Sequence, residues 1–163
     1  MTTSLGHRNV TRKSKVYADV YQNIRKDVVE ATKELIKAGI WKADVSNEDK
    51  AIFMGVWVQK VSAIYGMEPP KVYFIGGADG NRQYNRTGGG CYFPSTHEMY
   101  IFKKPSLTTL LHEFRHAMQN KLNVKEYKDD CEHDARAWSC SLYRLSAPKA
   151  YKRAVEKGIL HFK

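Results

Sequence analysis

Cysteine is scarce in this chain, with only Cys91, Cys131 and Cys140 among 163 residues. They are unevenly spaced and no two form a Cys-x-x-Cys pair, which excludes a disulfide framework and a thiolate zinc knuckle. All three are expected to be reduced thiols, some of them buried as small apolar side chains. Long apolar runs are missing too. No stretch approaches the roughly 18 residues that a membrane span needs, so no membrane partner is expected. Met1 to Val16 is polar and basic and lacks the apolar centre of a secretory signal, so the expected location is the cytoplasm. The glycines between Gly76 and Gly90 do not have phosphate-loop spacing, and no Gly-Lys-Ser/Thr follows them. There is no internal repeat, and the only low-complexity stretch is Gly88-Gly89-Gly90.

Acidic residues are the last deficit. Asp plus Glu number 17 against 27 Lys plus Arg, a formal charge of +10. The cations are densest at the two ends of the chain. Arg8, Arg12, Lys13 and Lys15 lie at one end, and Lys149, Lys152, Arg153, Lys157 and Lys163 at the other. Such an excess suits a nucleic acid, an anionic surface or an acidic protein partner, and it equally suits a plain basic exterior.

Hydrophobic residues make up 42% of the chain, enough for one packed interior. Residues 1–14 read as a flexible basic tail and 15–163 as a single domain. Val16, Val20, Ile24, Val28 and Leu35 recur near helical spacing and predict a helix from about Lys15 to Ala38, stopped by Gly39. Ser46-Asn47-Glu48-Asp49 predicts a helix start, with Gly66 ending that helix after Tyr65. Pro69 and Pro70 then precede Lys71 to Ile75, a strand by its β-branched and aromatic content. Gly76 to Gly90 reads as a long loop or an irregular hairpin, and a second strand is predicted from Glu98 to Lys103. Three further helices are predicted. One runs from Leu107 to about Leu122 with Ser106 as N-cap, one from Asp129 to Leu145, and one from Pro148 to Lys157. Helices around a small sheet make the fold class α+β.

The chemistry concentrates in Leu110-Leu111-His112-Glu113-Phe114-Arg115-His116. Helical residues four apart differ by about 40° in azimuth, so His112 and His116 can reach one ion from a single face. Glu113 is rotated about 100° from His112, within reach of a water on that ion. This is the His-Glu-x-x-His arrangement of zinc hydrolases. A catalytic zinc usually takes three protein ligands and keeps one position open. Gln119 and Leu122 stand where a metzincin has Gly and His, which excludes that class. The remaining candidates for the third ligand cluster in Asp129-Asp130-Cys131-Glu132-His133-Asp134.

With Glu132-His133-Asp134-Ala135-Arg136-Ala137-Trp138 downstream, the chain resembles the gluzincin metallopeptidases. In their ImmA/IrrE-type and CaaX-type branches a second helix carries Glu-x-x-Ala followed by a bulky apolar residue. The resemblance spans about residues 98–145 and implies a small zincin-like domain. It implies Glu132 as third ligand, Glu113 as general base and Ala135 as a small helix-to-helix contact. SprT-like proteases are similar as well, with a histidine as third ligand, which makes His133 the rival of Glu132. Ala135 and Trp138 fit the register of Glu132. Arg115 and Arg136 depart from the family patterns, leaving Asp134, Asp130 or a backbone carbonyl as candidates to orient the histidines.

The expected activity is zinc-dependent peptide hydrolysis on a protein or peptide substrate. Tyr127, Tyr143, His133 and Arg136 are candidate oxyanion donors. By resemblance, Glu98 to Phe102 is the edge on which substrate docks as an added strand. Gly88 to Gly90 is a turn or a flap, and His97 is a surface residue. The alternative function is nucleic-acid-binding regulation through the basic termini, with a structural zinc, or a DNA-associated protease that combines both.

Overall fold

The computed structural model describes residues 9–10, 24–76, 89–103, 106–124, 131–157 and 161–162. Most of the 1–14 tail, the loop 77–88, and Tyr127, Asp129 and Asp130 lie outside the described residues. Among those described, five helices surround a three-stranded mixed sheet: α1 (Lys26–Lys37), α2 (Asn47–Tyr65), β1 (Lys71–Gly76), β2 (Gly90–Phe93), β3 (Glu98–Lys103), α3 (Leu107–Lys121), α4 (Cys131–Ser146) and α5 (Pro148–Glu156). Asn9–Val10 and His161–Phe162 also pair as a short parallel bridge.

Local chemistry sets the helix ends. Ser46 accepts from the Asp49 N–H at 3.1 Å and Ser106 accepts from the Thr109 N–H at 3.3 Å, so the expected N-caps start α2 and α3. Gly66 closes α2 in the left-handed conformation (φ 67°), which brings the Met67 N–H back to the Ser62 carbonyl at 2.8 Å. Of the helix expected from about Lys15 to Ala38, residues 15–23 lie outside the described residues, and the described helix runs from Lys26 to Lys37. Arg25 is extended (φ −49°, ψ 136°), and Asp27 takes both its guanidinium and the Val28 N–H at the start of α1.

The strand order is β1-β3-β2. β3 runs parallel to β1 (Lys71 opposite Glu98) and antiparallel to β2 (Cys91 opposite Tyr100). Two expectations fail here. Glu98 to Phe102 is not an edge, because both of its sides are taken by neighbouring strands. Gly89 and Gly90 are neither flap nor free turn. The Gly89 carbonyl accepts from the Phe102 N–H at 2.7 Å, and Gly90 opens β2. Four residues with two aromatics make β2 too short to stand out from the glycine-rich stretch before it. Across the sheet, Met99 and Ile101 point into the core, while Tyr100 stacks on Tyr73 on the other face (5.1 Å).

His97 is buried rather than on the surface. It turns the β2–β3 connection at φ 55°, and its N–H donates to the Phe93 carbonyl at 2.9 Å. The core joins α1, α2, α3 and α4 over the sheet, with Trp57, Phe114 and Trp138 in contact at its centre. The Trp57 indole donates to Thr32 Oγ1 at 2.9 Å, which removes the cost of burying that N–H. No helix among the described residues is long and apolar enough to cross a membrane.

Candidate metal centre

α3 supplies His112, Glu113 and His116, and α4 packs across it. The apolar face of α3 (Leu107, Leu110, Leu111, Phe114, Met118) is buried in the core, so the histidine face is held against α4. Ala135 is fully buried in α4, three residues after Glu132. The absence of a larger side chain there suits a close helix approach.

His112 Nε2, His116 Nε2 and a Glu132 carboxylate oxygen lie within 4.8 Å of one another. The separations are 3.2 Å between the two imidazole nitrogens, 3.1 Å from His112 to Glu132 Oε2 and 3.0 Å from His116 to Glu132 Oε1. Glu132, not His133, enters the group. A tetrahedral ion bonded at about 2.1 Å separates adjacent donors by about 3.4 Å, so the triangle matches one face of such a polyhedron to within a few tenths of an ångström. Two imidazoles and one carboxylate suit zinc rather than the hard cations that take oxygen alone. The residues present therefore fit the ion that the motif implies.

Hydrogen-bond chemistry assigns the tautomer of His116. Gln119 Nε2 sits 2.9 Å from the Cys131 carbonyl and 2.7 Å from Asp134 Oδ2, both acceptors, so it donates to both. Gln119 Oε1 then faces His116 Nδ1 at 2.8 Å, and Nδ1 must carry the hydrogen. In the neutral imidazole this leaves a lone pair on Nε2, aimed at the donor triangle. Asp134 is itself fully buried and receives Arg115 through Nε (2.8 Å) and a terminal guanidinium nitrogen (3.2 Å). Arg115 is thus half of a buried ion pair between α3 and α4. It also lies over the Trp138 ring at 5.5 Å. Asp134 also accepts from Gln119, which faces His116. It acts on His116 through Gln119, a residue the sequence reading used only to exclude a metzincin.

The electrostatics follow from this crowding. In the metal-free protein, burial pulls the His116 pKa down, but hydrogen bonding to Glu132, the charge of Glu113 and the Gln119 contact outweigh it and raise it from 6.5 to about 9. Hydrogen bonds from His112 and His116 hold the Glu132 carboxyl well below its usual range. Arg136, one turn on, brings a guanidinium nitrogen to 3.8 Å from Glu132 Oε2.

The triangle opens into a cleft of about 490 Å³. Gly90, Cys91 and Tyr92 of β2 form one wall and Glu113, His116 and Asn120 of α3 the other, with Glu132 between them. Gly90 is required here. A Cβ on it would lie 2.6 Å from the Tyr100 carbonyl oxygen and 2.7 Å from Thr109 Cγ2, so only glycine lets β2 approach α3 so closely.

Tyr92 and Asn120 are polar groups of the wall that sequence reasoning missed. Asn120 Nδ2 donates to Tyr92 Oη (3.0 Å), which donates to His97 Nδ1 (2.7 Å), and His97 Nε2 donates to the Glu68 carbonyl (2.7 Å). Only the packing of β2 on α3 reveals them, since 28 positions separate the first pair.

Of the expected oxyanion donors, Tyr143 is engaged with Trp41 and Tyr151, and neither it nor His133 lines the cleft. Cys91 and Cys140 are buried and Cys131 is exposed, with no disulfide among the three. Burial pushes the Cys140 thiol up to about 12, which marks it as a packing residue. The chain matches no protein-family model, and neither the curated proteins nor the solved structures contain a significant counterpart.

Proposed function

We propose that this protein is a zinc-dependent peptidase of gluzincin type on a small zincin-like domain, with His112, His116 and Glu132 as metal ligands and Glu113 as general base. The observation that carries this reading is the donor triangle of 3.0–3.2 Å edges, opening into a cleft whose wall includes Glu113. When bound, zinc supplies Lewis acidity, lowering the pKa of a water and polarising a carbonyl.

The chain's own residues do the rest. Glu113 follows His112 directly on α3 and faces the cleft. Its carboxylate takes a proton from the attacking water, so that hydroxyl adds to the scissile carbonyl carbon. The same proton then passes to the departing nitrogen as the C–N bond breaks, giving a carboxylic acid and an amine. Gln119 keeps the His116 ring in its ligating orientation through Nδ1. Tyr92 and Asn120 are the polar groups of the wall on which a peptide carbonyl or amide can be oriented.

The test is Glu113→Gln in the zinc-loaded protein, with an unfolded protein as substrate. The variant should keep one equivalent of zinc and cleave about 10²- to 10⁴-fold more slowly. Undiminished cleavage overturns the role of Glu113. A wild-type protein that binds zinc yet cleaves nothing overturns the peptidase reading and leaves the metal site standing.

A further inference from the structure

The cations near the C-terminus take no part in the chemistry above. α5 is divided between two faces. Ala150, Tyr151, Ala154 and Val155 pack against the core. Lys149, Lys152 and Arg153 are exposed, as are Glu156 and the adjoining Lys157. Spacings of three and four residues set the four cations on one side of the helix, where like charges repel. Elsewhere on the exterior, Lys33 is paired with Glu30 and Lys60 with Glu34. Among the described residues, no ion pair involves any of the four on α5.

A second observation comes from the tryptophans. Trp57 and Trp138 are 2% exposed, but Trp41 is 48% exposed. Its ring leans on Tyr143 at 5.9 Å, and Tyr143 meets Tyr151 of α5 edge-on at 5.6 Å. An exposed indole is therefore joined through two ring contacts to the helix that carries the uncompensated charge.

We propose that α5 and Trp41 form a binding surface for single-stranded nucleic acid. Lys149, Lys152, Arg153 and Lys157 take backbone phosphates, and one base stacks on Trp41. Cations along a groove with an aromatic platform beside them are the two components of such recognition. Lys149 to Lys157 covers about 12 Å of helix axis, the path of a few nucleotides. Glu156 and Asp44, both exposed, are the acidic residues on these two segments. A duplex keeps its base faces stacked inside and makes no use of the indole. An anionic membrane fits less well, because an interfacial helix inserts its apolar face and that of α5 is spent on the core. None of these residues lines the metal cleft, so the surface stands or falls separately from the peptidase reading.

The experiment is a titration of the full chain at low salt with an oligothymidylate of about ten nucleotides, within the site sizes usual for single strands. Tryptophan fluorescence is read together with the anisotropy of labelled oligonucleotide. Two of the three indoles are buried, so quenching reports Trp41. Binding should quench the fluorescence and weaken steeply with added salt. The exposed double variant K152E/R153E should bind at least about tenfold more weakly. Trp41→Ala should abolish the quench and weaken binding about fivefold or more. Absence of binding at low salt overturns the proposal. So does a duplex bound as tightly as the single strand, or full affinity in K152E/R153E with its circular dichroism unchanged.

Discussion

Two polar clusters lie side by side between α3 and α4, and they resolve their charges in opposite ways. Arg115 and Asp134 are buried and satisfy each other in a two-pronged contact. His112, His116 and Glu132 converge on one point from which a cleft opens, and Glu132 keeps half of its side chain exposed. The first cluster sets opposite charges against each other. The second sets two imidazole nitrogens and a carboxylate edge to edge, an arrangement that a shared proton or a shared cation makes favourable. Gln119 joins the two, donating to Asp134 and accepting from His116. A buried ion pair removes its own charges from consideration, while donors aimed at a common point mark a place for something else.

The comparison breaks most sharply at Asp134. Asp134→Ala leaves Arg115 buried without its carboxylate and should cost about 3–5 kcal/mol of stability, read by urea denaturation of the metal-free protein. A loss below 1 kcal/mol, within the range of an exposed pair, would mean that the two helices do not depend on this contact.

Gln119→Leu tests the link. It removes the acceptor on His116 Nδ1, and zinc affinity should fall about 10- to 100-fold, measured by competition with a chelating dye. An unchanged zinc affinity with wild-type stability would show that His116 needs no help from the buried pair.

The smallest effect is in pH. The His116 pKa in the metal-free fold is raised from 6.5 to about 9, so its pairing with Glu132 stabilises that fold fully below 6.5 and is lost as pH rises through 9. The Glu132 pKa is lowered from 4.5, so its share is present above 4.5 and is lost as pH falls. The metal-free protein thus draws most from this pair between 4.5 and 6.5. Zinc needs His116 neutral and must displace its proton below about 9, so zinc affinity should rise close to tenfold per pH unit between 7 and 8, about 1.4 kcal/mol. Melting temperatures with and without zinc across that range check the sign. A zinc-induced shift that shrinks as pH rises would exclude His116 as a ligand.

Much of the fold was legible because it is local. Ser46, Gly66 and Ser106 act on backbone groups within a few residues, and the spacing of α2 to α5 survives intact in the structure. The same holds for His112 and His116, whose common face follows from helical geometry alone. What sequence patterns did not carry was every contact that depends on distant segments meeting. β3 reads as a possible edge until β1 and β2 are seen on both sides of it. His97 reads as surface until its ring is found bridging Tyr92 and Glu68. Nothing in the sequence distinguishes Trp41 from the buried Trp57 and Trp138.

The sequence by itself determined the class of elements, the apolar stripe that buries α3 and the paired imidazoles, because each is written within one or two helical turns. Tertiary structure decided that the carboxylate facing those imidazoles is Glu132, that Arg115 closes on Asp134 and that Gln119 turns His116. Those choices depend on the rotation and depth at which α4 packs on α3. Burial of Trp138, Leu142 and Ala135 sets that packing, and no spacing within a single segment encodes it.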